Sequence, residues 1–226
     1  MDARTPDEAA THARAGLAAH AGDDTEGAVL LLREIFKAHL AMKRHRSAHA
    51  VARKMVTLGV LSEITHADLG RACAALGWWL PAAHAYRLAA RFAPARRRAL
   101  HWGACASAFQ HAEAYPESLA ALDRAIRWSS GTRPLHRAHA TLVRIDRGEQ
   151  IDDVAAVVAE LECARCGEGY GRYVLGCLAM ASGRKTDGRR WLREFVRRNA
   201  ADPLKSATLA GEIRRARSLL GPARRG

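Results

Sequence analysis

Aromatic side chains make up only 6% of this sequence and proline only 7 of its 226 residues, although 49% of the residues are hydrophobic. A core with so few rings has to be filled by small and aliphatic side chains, and 48 alanines are there to do it. That combination favours helices packed closely through small residues. Runs of alternating Val, Ile or Thr are missing, which argues against a sheet. Cysteine is sparse and odd in number: Cys73, Cys105, Cys163, Cys166 and Cys177 follow no framework spacing. Free thiols in a reducing compartment are therefore expected, not a disulfide scaffold. The longest strongly apolar stretches, 28–32 and 174–181, fall far short of the roughly 18 to 20 residues that cross a bilayer, so membrane insertion is excluded. The first twenty residues lack a continuous apolar run, so no secretory signal is expected and a cytoplasmic location is. A chain of this length buries roughly 70% of its extended surface and needs no staple.

Acidic residues are the minority charge: 23 Asp and Glu face 36 Lys and Arg, a formal charge of +13, and 31 of the 36 are arginine. Such a balance suits an anionic partner, although an Ala- and Arg-rich chain also arises from genomic base composition alone. The excess is uneven. Residues 181–226 hold 13 basic and 4 acidic side chains, a surplus of +9, which leaves +4 for residues 1–180. Arg189, Arg190, Arg193, Arg197 and Arg198 fall on the side of one helix opposite Trp191, Leu192, Phe195 and Val196, and Arg214, Arg215 and Arg217 extend this basic surface from the last helix. Arg224 and Arg225 follow in a tail, and Arg96, Arg97 and Arg98 form a second cluster.

Local punctuation divides the chain into short helices. Thr5-Pro6-Asp7-Glu8 reads as a capping box with proline at the first helical position. Gly22 ends that helix, and Asp23 or Asp24 caps a second one carrying Val29, Leu32, Ile35, Phe36 and Leu40 at helical spacing. Glycine, proline and serine marks then recur regularly, leaving segments of 12 to 18 residues whose apolar residues return every three or four positions. About twelve helices are predicted, at 6–21, 24–43, 47–59, 64–77, 81–92, 98–112, 116–129, 134–147, 151–163, 168–182, 187–199 and 204–220.

Shifting the chain by 36 residues sets Leu69 over Cys105, Gly70 over Ala106, Cys73 over Phe109, Trp79 over Tyr115 and Ala89 over Ala125. A further 36 carries Phe109 onto Ile145, Ser118 onto Val154 and Leu122 onto Val158, and a step of 37 carries Val154 onto Trp191 and Val158 onto Phe195. Four helix pairs thus share a packing plan. One hairpin cannot bury its apolar stripe alone, so neighbours must stack into a continuous core.

Here the chain resembles the tetratricopeptide repeat family, most clearly in LGRACAALGWWLPAAHAYRLAARFAP. The resemblance makes Leu69 and Gly70 the close-packing pair of a first helix, with Cys73 in a usually larger slot and Trp79 at the turn. It puts Ala82 at the helix crossing, Tyr86 and Ala89 inside the second helix, and Pro94 at the end of the unit. The next unit is similar through Trp102, Ala106, Phe109, Tyr115, Leu122 and Ala125, with Ser118 in place of the expected alanine. The match is weaker over 133–202 and only architectural over 6–61. It implies an all-α, right-handed superhelical array of antiparallel helix hairpins. The expected organisation is an N-terminal helical segment at 1–61, repeats at 62–202, and a capping helix with basic tail at 203–226.

Chemistry-bearing motifs are thin. Cys163-Ala164-Arg165-Cys166 is a lone CxxC with no further ligands near in sequence to complete a zinc site. The histidines form no HExxH, Glu160 and Glu162 cannot share a helix face, and GEGYG at 167–171 lacks the Lys-Ser/Thr of a phosphate loop. No catalytic residue, cofactor or metal is expected, and the chain is read as a non-enzyme. The resemblance implies an adaptor whose concave groove takes a peptide or partner protein. Candidate contacts on the first helices are Arg71, His101, Gln110, Arg137 and Arg144, with Arg98 at a helix start; these favour an acidic ligand. Trp78, next to Trp79 at a turn, is a candidate exposed contact. The competing reading is a nucleic-acid binder using the C-terminal arginines, and self-association is a third.

Overall fold

The first helix starts at the predicted capping box: the Thr5 amide donates to Glu8 Oε2 at 2.7 Å, and the Glu8 amide donates to Thr5 Oγ1 at 3.3 Å. The computed structural model describes residues 5–19, 24–167 and 169–221; Gly22, Asp23, Glu168, Arg224 and Arg225 lie outside them. Among the described residues there are thirteen α-helices, a short 3-10 turn at Arg165–Gly167, and no strand.

The helices are α1 (Pro6–Ala19), α2 (Thr25–Ala41), α3 (His45–Thr57), α4 (Ser62–Ala75), α5 (Trp79–Phe92), α6 (Ala95–His111) and α7 (Tyr115–Trp128). They continue as α8 (Arg133–Asp146), α9 (Val154–Cys163), α10 (Tyr170–Ala181), α11 (Lys185–Ala200), α12 (Pro203–Thr208) and α13 (Ala210–Leu220). Asp24 caps α2 by accepting from the Gly27 amide at 2.8 Å, and Asp153 caps α9 by accepting from Ala156 at 3.1 Å. The fold is all-α, a superhelical array of antiparallel hairpins in which helices pack mostly against their neighbours in sequence. In the four hairpins α4–α5, α6–α7, α8–α9 and α10–α11, the first helices share one side of the array. Helices α1 to α3 continue the stack, since Val29, Phe36 and Met55 share a core cluster with Ala72 of α4.

Small residues set the helix crossings. A Cβ on Gly70 would sit 2.7 Å from the Tyr86 ring, so α4 and α5 approach only because that position is glycine. Ala82 and Ala89 are buried in α5. At the next crossing the Ser118 hydroxyl donates to the Ala106 carbonyl at 2.8 Å, so a serine fits the alanine position by acquiring a partner. Gly188 falls within the predicted helix at 187–199 and lies inside α11. A Cβ there would be 3.0 Å from the Gly176 carbonyl oxygen and the Met180 amide nitrogen of α10.

The predicted helix at 204–220 departs most from the sequence reading. It is two helices, α12 and α13, joined at Leu209. The break lets them serve different neighbours: α12 lies against α2 and α4, while α13 packs on α11 and reaches α10 and α4. The segment does cover the last hairpin, and it also runs back across the array to the first helices. So short a segment touches both α2 and α11 only because the array curls around it, so it lies on the inner face.

Candidate functional site

The inner face brings α2 and α4 together with α11 to α13, and charge fixes the C-terminal segment there. Arg215 of α13 makes two parallel N–H···O bonds of 2.5 Å to the Asp146 carboxylate at the end of α8. Glu212, one turn earlier, accepts from the Ser107 hydroxyl of α6, and its Oε1 lies 3.6 Å from His111 Nε2. Burial pushes the Glu212 carboxyl up, and the His111 imidazole and Ser107 hydroxyl pull it back below its ordinary value. Gly211 makes this approach possible, since a Cβ there would be 2.5 Å from His111 Nε2. Farther along, Ala207 is buried in the α2–α3–α4 cluster, and Ile213 and Ala216 join the core of the last hairpins.

Beneath the segment, α2 and α4, α4 and α6, and α6 and α8 are tied by polar pairs about one repeat apart. Arg33 Nε donates to Asp68 Oδ2 at 2.7 Å, His101 Nε2 meets Glu63 Oε1 at 2.7 Å, and Gln110 Nε2 donates to Asp146 Oδ2 at 2.6 Å, at sequence separations of 35, 38 and 36. Asp146 accepts only, so the Gln110 amide presents its oxygen to His139 at 2.7 Å, which places the His139 proton on Nε2. The Tyr170 hydroxyl is 3.3 Å from that nitrogen. Burial pushes the His139 imidazole down to about 3 and that of His136 down to about 4, so both are neutral near neutral pH. It also lowers His101, against the pull of Glu63.

No family model and no curated protein matches this chain. Its architecture is that of a generic helical repeat.

The groove candidates fall into three groups. Arg71, His101 and Gln110 lie on the first helices with partners within the chain: Arg71 donates to Asp68, while His101 and Gln110 are buried in the pairs above. Arg98 donates to the Ala93 carbonyl at 2.9 Å and stacks on the Trp128 ring, 4.4 Å from its centroid. Arg137 and Arg144 are exposed, facing Glu160 at 3.5 Å and Glu149 at 2.7 Å. Trp78 is 45% exposed, with its ring edge-on to His49 at 5.0 Å. Among the basic-surface residues, Arg189, Arg193, Arg197, Arg214 and Arg217 are exposed. Arg190 lies 3.5 Å from Asp187 and Arg198 lies 2.7 Å from Glu194, while Arg215 turns inward to Asp146.

Two cavities flank the segment. One of about 380 Å³ lies between α2, α4 and α12, with Asp68 and Arg71 in its wall. The other, about 350 Å³, lies between α6, α8 and the α12–α13 junction, with Ser107, His111, His139, Tyr170 and Glu212 in its wall. Sequence reasoning missed Ser107, Asp146, Tyr170 and Glu212. The one signal for them was Glu212 itself, a carboxylate beside Ile213 on the apolar stripe of the last helix. Among the described residues no helix is long and apolar enough to cross a membrane, and no cluster of three His, Cys, Asp or Glu could hold a metal ion.

Proposed function

We propose that this chain is a noncatalytic, cytoplasmic adaptor of the tetratricopeptide kind whose inner face holds a short helical segment of a partner protein. One observation carries the reading: that face already grips a helical segment, α12–α13, by matched charged groups as well as apolar contact. A guanidinium enters at Asp146 and a carboxylate at Ser107, three positions apart on one helix. A partner helix with Glu and Arg at that spacing has the complementary pattern, and it has to displace α12–α13 to enter. The five free thiols, three of them buried, support a reducing compartment.

The test uses a fluorescent peptide of residues 203–221 and the full-length protein carrying Arg215→Glu, whose own segment is repelled by Asp146. Saturable binding is expected, tighter than to the unsubstituted protein and lost when Asp146→Arg is added. No saturable binding to either protein overturns the reading.

A specific observation favours a second reading. Helices α11 and α13 pack together and both expose arginines, Arg189, Arg193 and Arg197 on one and Arg214 and Arg217 on the other. Such a surface suits a nucleic-acid backbone, with affinity that falls steeply with salt and drops evenly across sequences on reversal of these charges. Absence of binding to both DNA and RNA at low salt removes it.

A further inference from the structure

The cavity between α6, α8 and the α12–α13 junction has the size and composition of a ligand site. Its volume, about 350 Å³, falls within the range of small-molecule pockets. Ala104 and Ala108 of α6, Leu135 of α8 and Leu209 of the junction form apolar wall, with Trp79 and Tyr170 as aromatic panels. Trp79 is held against His111, ring centroids 4.7 Å apart, so this panel is fixed before any ligand arrives. The mouth is apolar as well: Leu100 is 63% exposed there, beside Trp128 with Arg98 on its face.

The polar groups inside are few and unevenly satisfied. Glu212 is the only carboxylate in the wall and Arg96, exposed at the edge, the only Lys or Arg. The Glu212 carboxylate accepts from the Ser107 hydroxyl and faces His111 Nε2 at 3.6 Å, which leaves acceptor capacity over, since an ionised carboxylate accommodates about four donors. Within the described residues, His111 Nε2 is buried and makes no hydrogen bond; it stands 3.6 Å from Glu212. His136 and His139, kept neutral by burial, add no positive charge, and His111 is the one imidazole in the wall that faces Glu212. The cavity wall therefore has an anionic acceptor with capacity to spare, an imidazole nitrogen that faces it without a hydrogen bond, and aromatic panels.

We propose that this cavity binds a small organic amine with a compact aromatic body, its ammonium group directed at Glu212 and its ring against Trp79. An ammonium group supplies the donors that Glu212 lacks, and the neighbouring rings favour a cation further. A carboxylate of the same shape meets Glu212 as a like charge with Arg96 too far out to compensate. Thr208, Leu209 and Glu212 belong to the C-terminal segment while the opposite wall belongs to α6 and α8, so the ligand bridges the two. Occupation then holds the segment on the inner face by mass action. The proposal rests on the docked segment and not on the adaptor reading.

The experiment titrates the full-length protein with three probes that share a ring, tryptamine, indole and indole-3-acetate, following thermal midpoint and the heat of binding by calorimetry. Tryptamine is expected to bind and to raise the midpoint, at least tenfold tighter than indole-3-acetate, with indole between them. In Glu212→Gln the preference for the amine over the acid collapses to within about threefold. In Ala104→Phe, which fills the cavity from its wall, all three probes lose binding while far-ultraviolet circular dichroism is unchanged. The unsubstituted protein alone overturns the proposal if no probe binds at millimolar concentration or if amine and acid bind equally. An amine preference that survives Glu212→Gln overturns it as well.

Discussion

Replacing Arg215 by Ala removes the group that ties the C-terminal segment to α8. Breaking one side of a fully buried ion pair costs about 3–5 kcal/mol, and an exposed pair contributes about 0–1 kcal/mol. The Arg215 side chain is 30% exposed and that of Asp146 15%, so this pair stands between those limits. Asp146 also keeps its hydrogen bond from Gln110, so it is not left without a partner. The cost is then about 2 kcal/mol, which at about 1.4 kcal/mol per decade corresponds to roughly 30-fold greater opening of the segment. Amide hydrogen exchange reads this directly: protection in α13 should fall by about that factor, while α5 and α7, which are not among the segment's main neighbours, keep theirs. Arg215→Lys should fall between, since an ammonium keeps the charge and loses the fork. The exchanged pair Arg215→Asp with Asp146→Arg should recover part of the protection. Unchanged exchange in α13 would refute the latch. So would a uniform rise along the whole chain, because the pair would then support the fold rather than the docking.

Three further outcomes follow from the packing and the buried titratable groups. Gly188→Ala should lower stability by about 1–2 kcal/mol in urea unfolding, because overpacking against backbone atoms of α10 outweighs the roughly 1 kcal/mol helix-propensity gain of alanine; an unchanged midpoint would contradict the crossing. His136 and His139 are held below their unfolded value of about 6.5, so their stabilisation is complete above that pH and is lost as pH falls towards about 4 and 3. Each contributes up to about 2 kcal/mol of loss between pH 6.5 and 5, and His139→Gln should flatten the urea midpoint's pH dependence; an equal slope in the variant would refute the assignment. Burial pushes Cys73 up to about 11 and Cys105 and Cys177 up to about 12, whereas Cys163 is exposed. Alkylation of the native protein should therefore mark Cys163 well before those three, and mass spectrometry showing Cys105 modified as fast would show that the α5–α6 contact opens.

Periodicity and caps made the helices legible, and the Thr5–Glu8 box and the Gly70–Tyr86 crossing stand where the residues put them. Both depend on neighbours in sequence or on one hairpin. For the C-terminal segment the sequence supports a capping helix, through the apolar stripe of Leu209, Ile213, Ala216 and Leu220, but not its run back to α2 and α4. A stripe shows which face is buried and says nothing of what buries it. The predicted helix at 187–199 contains Gly188, but its close crossing with α10 depends on the partner helix and has no mark in the sequence. Placing His101 and Gln110 on the first helices followed from the repeat, but their saturation by Glu63, His139 and Asp146 did not. Those partners come from other helices, and in the sequence they look like ordinary solvated charges.

An open stack of hairpins frays from its ends, each unit losing only its neighbour. The Ser107–Glu212 bond, spanning 105 residues, and the contacts of α12 with α2 and α4 change that arithmetic. With α12 resting on α2 and α4, loosening of the C-terminal segment also breaks contacts near the start of the array. The closing segment is also the last part of the array to be synthesised, so the hairpins assemble from local contacts and the molecule becomes a single cooperative unit only when that segment docks.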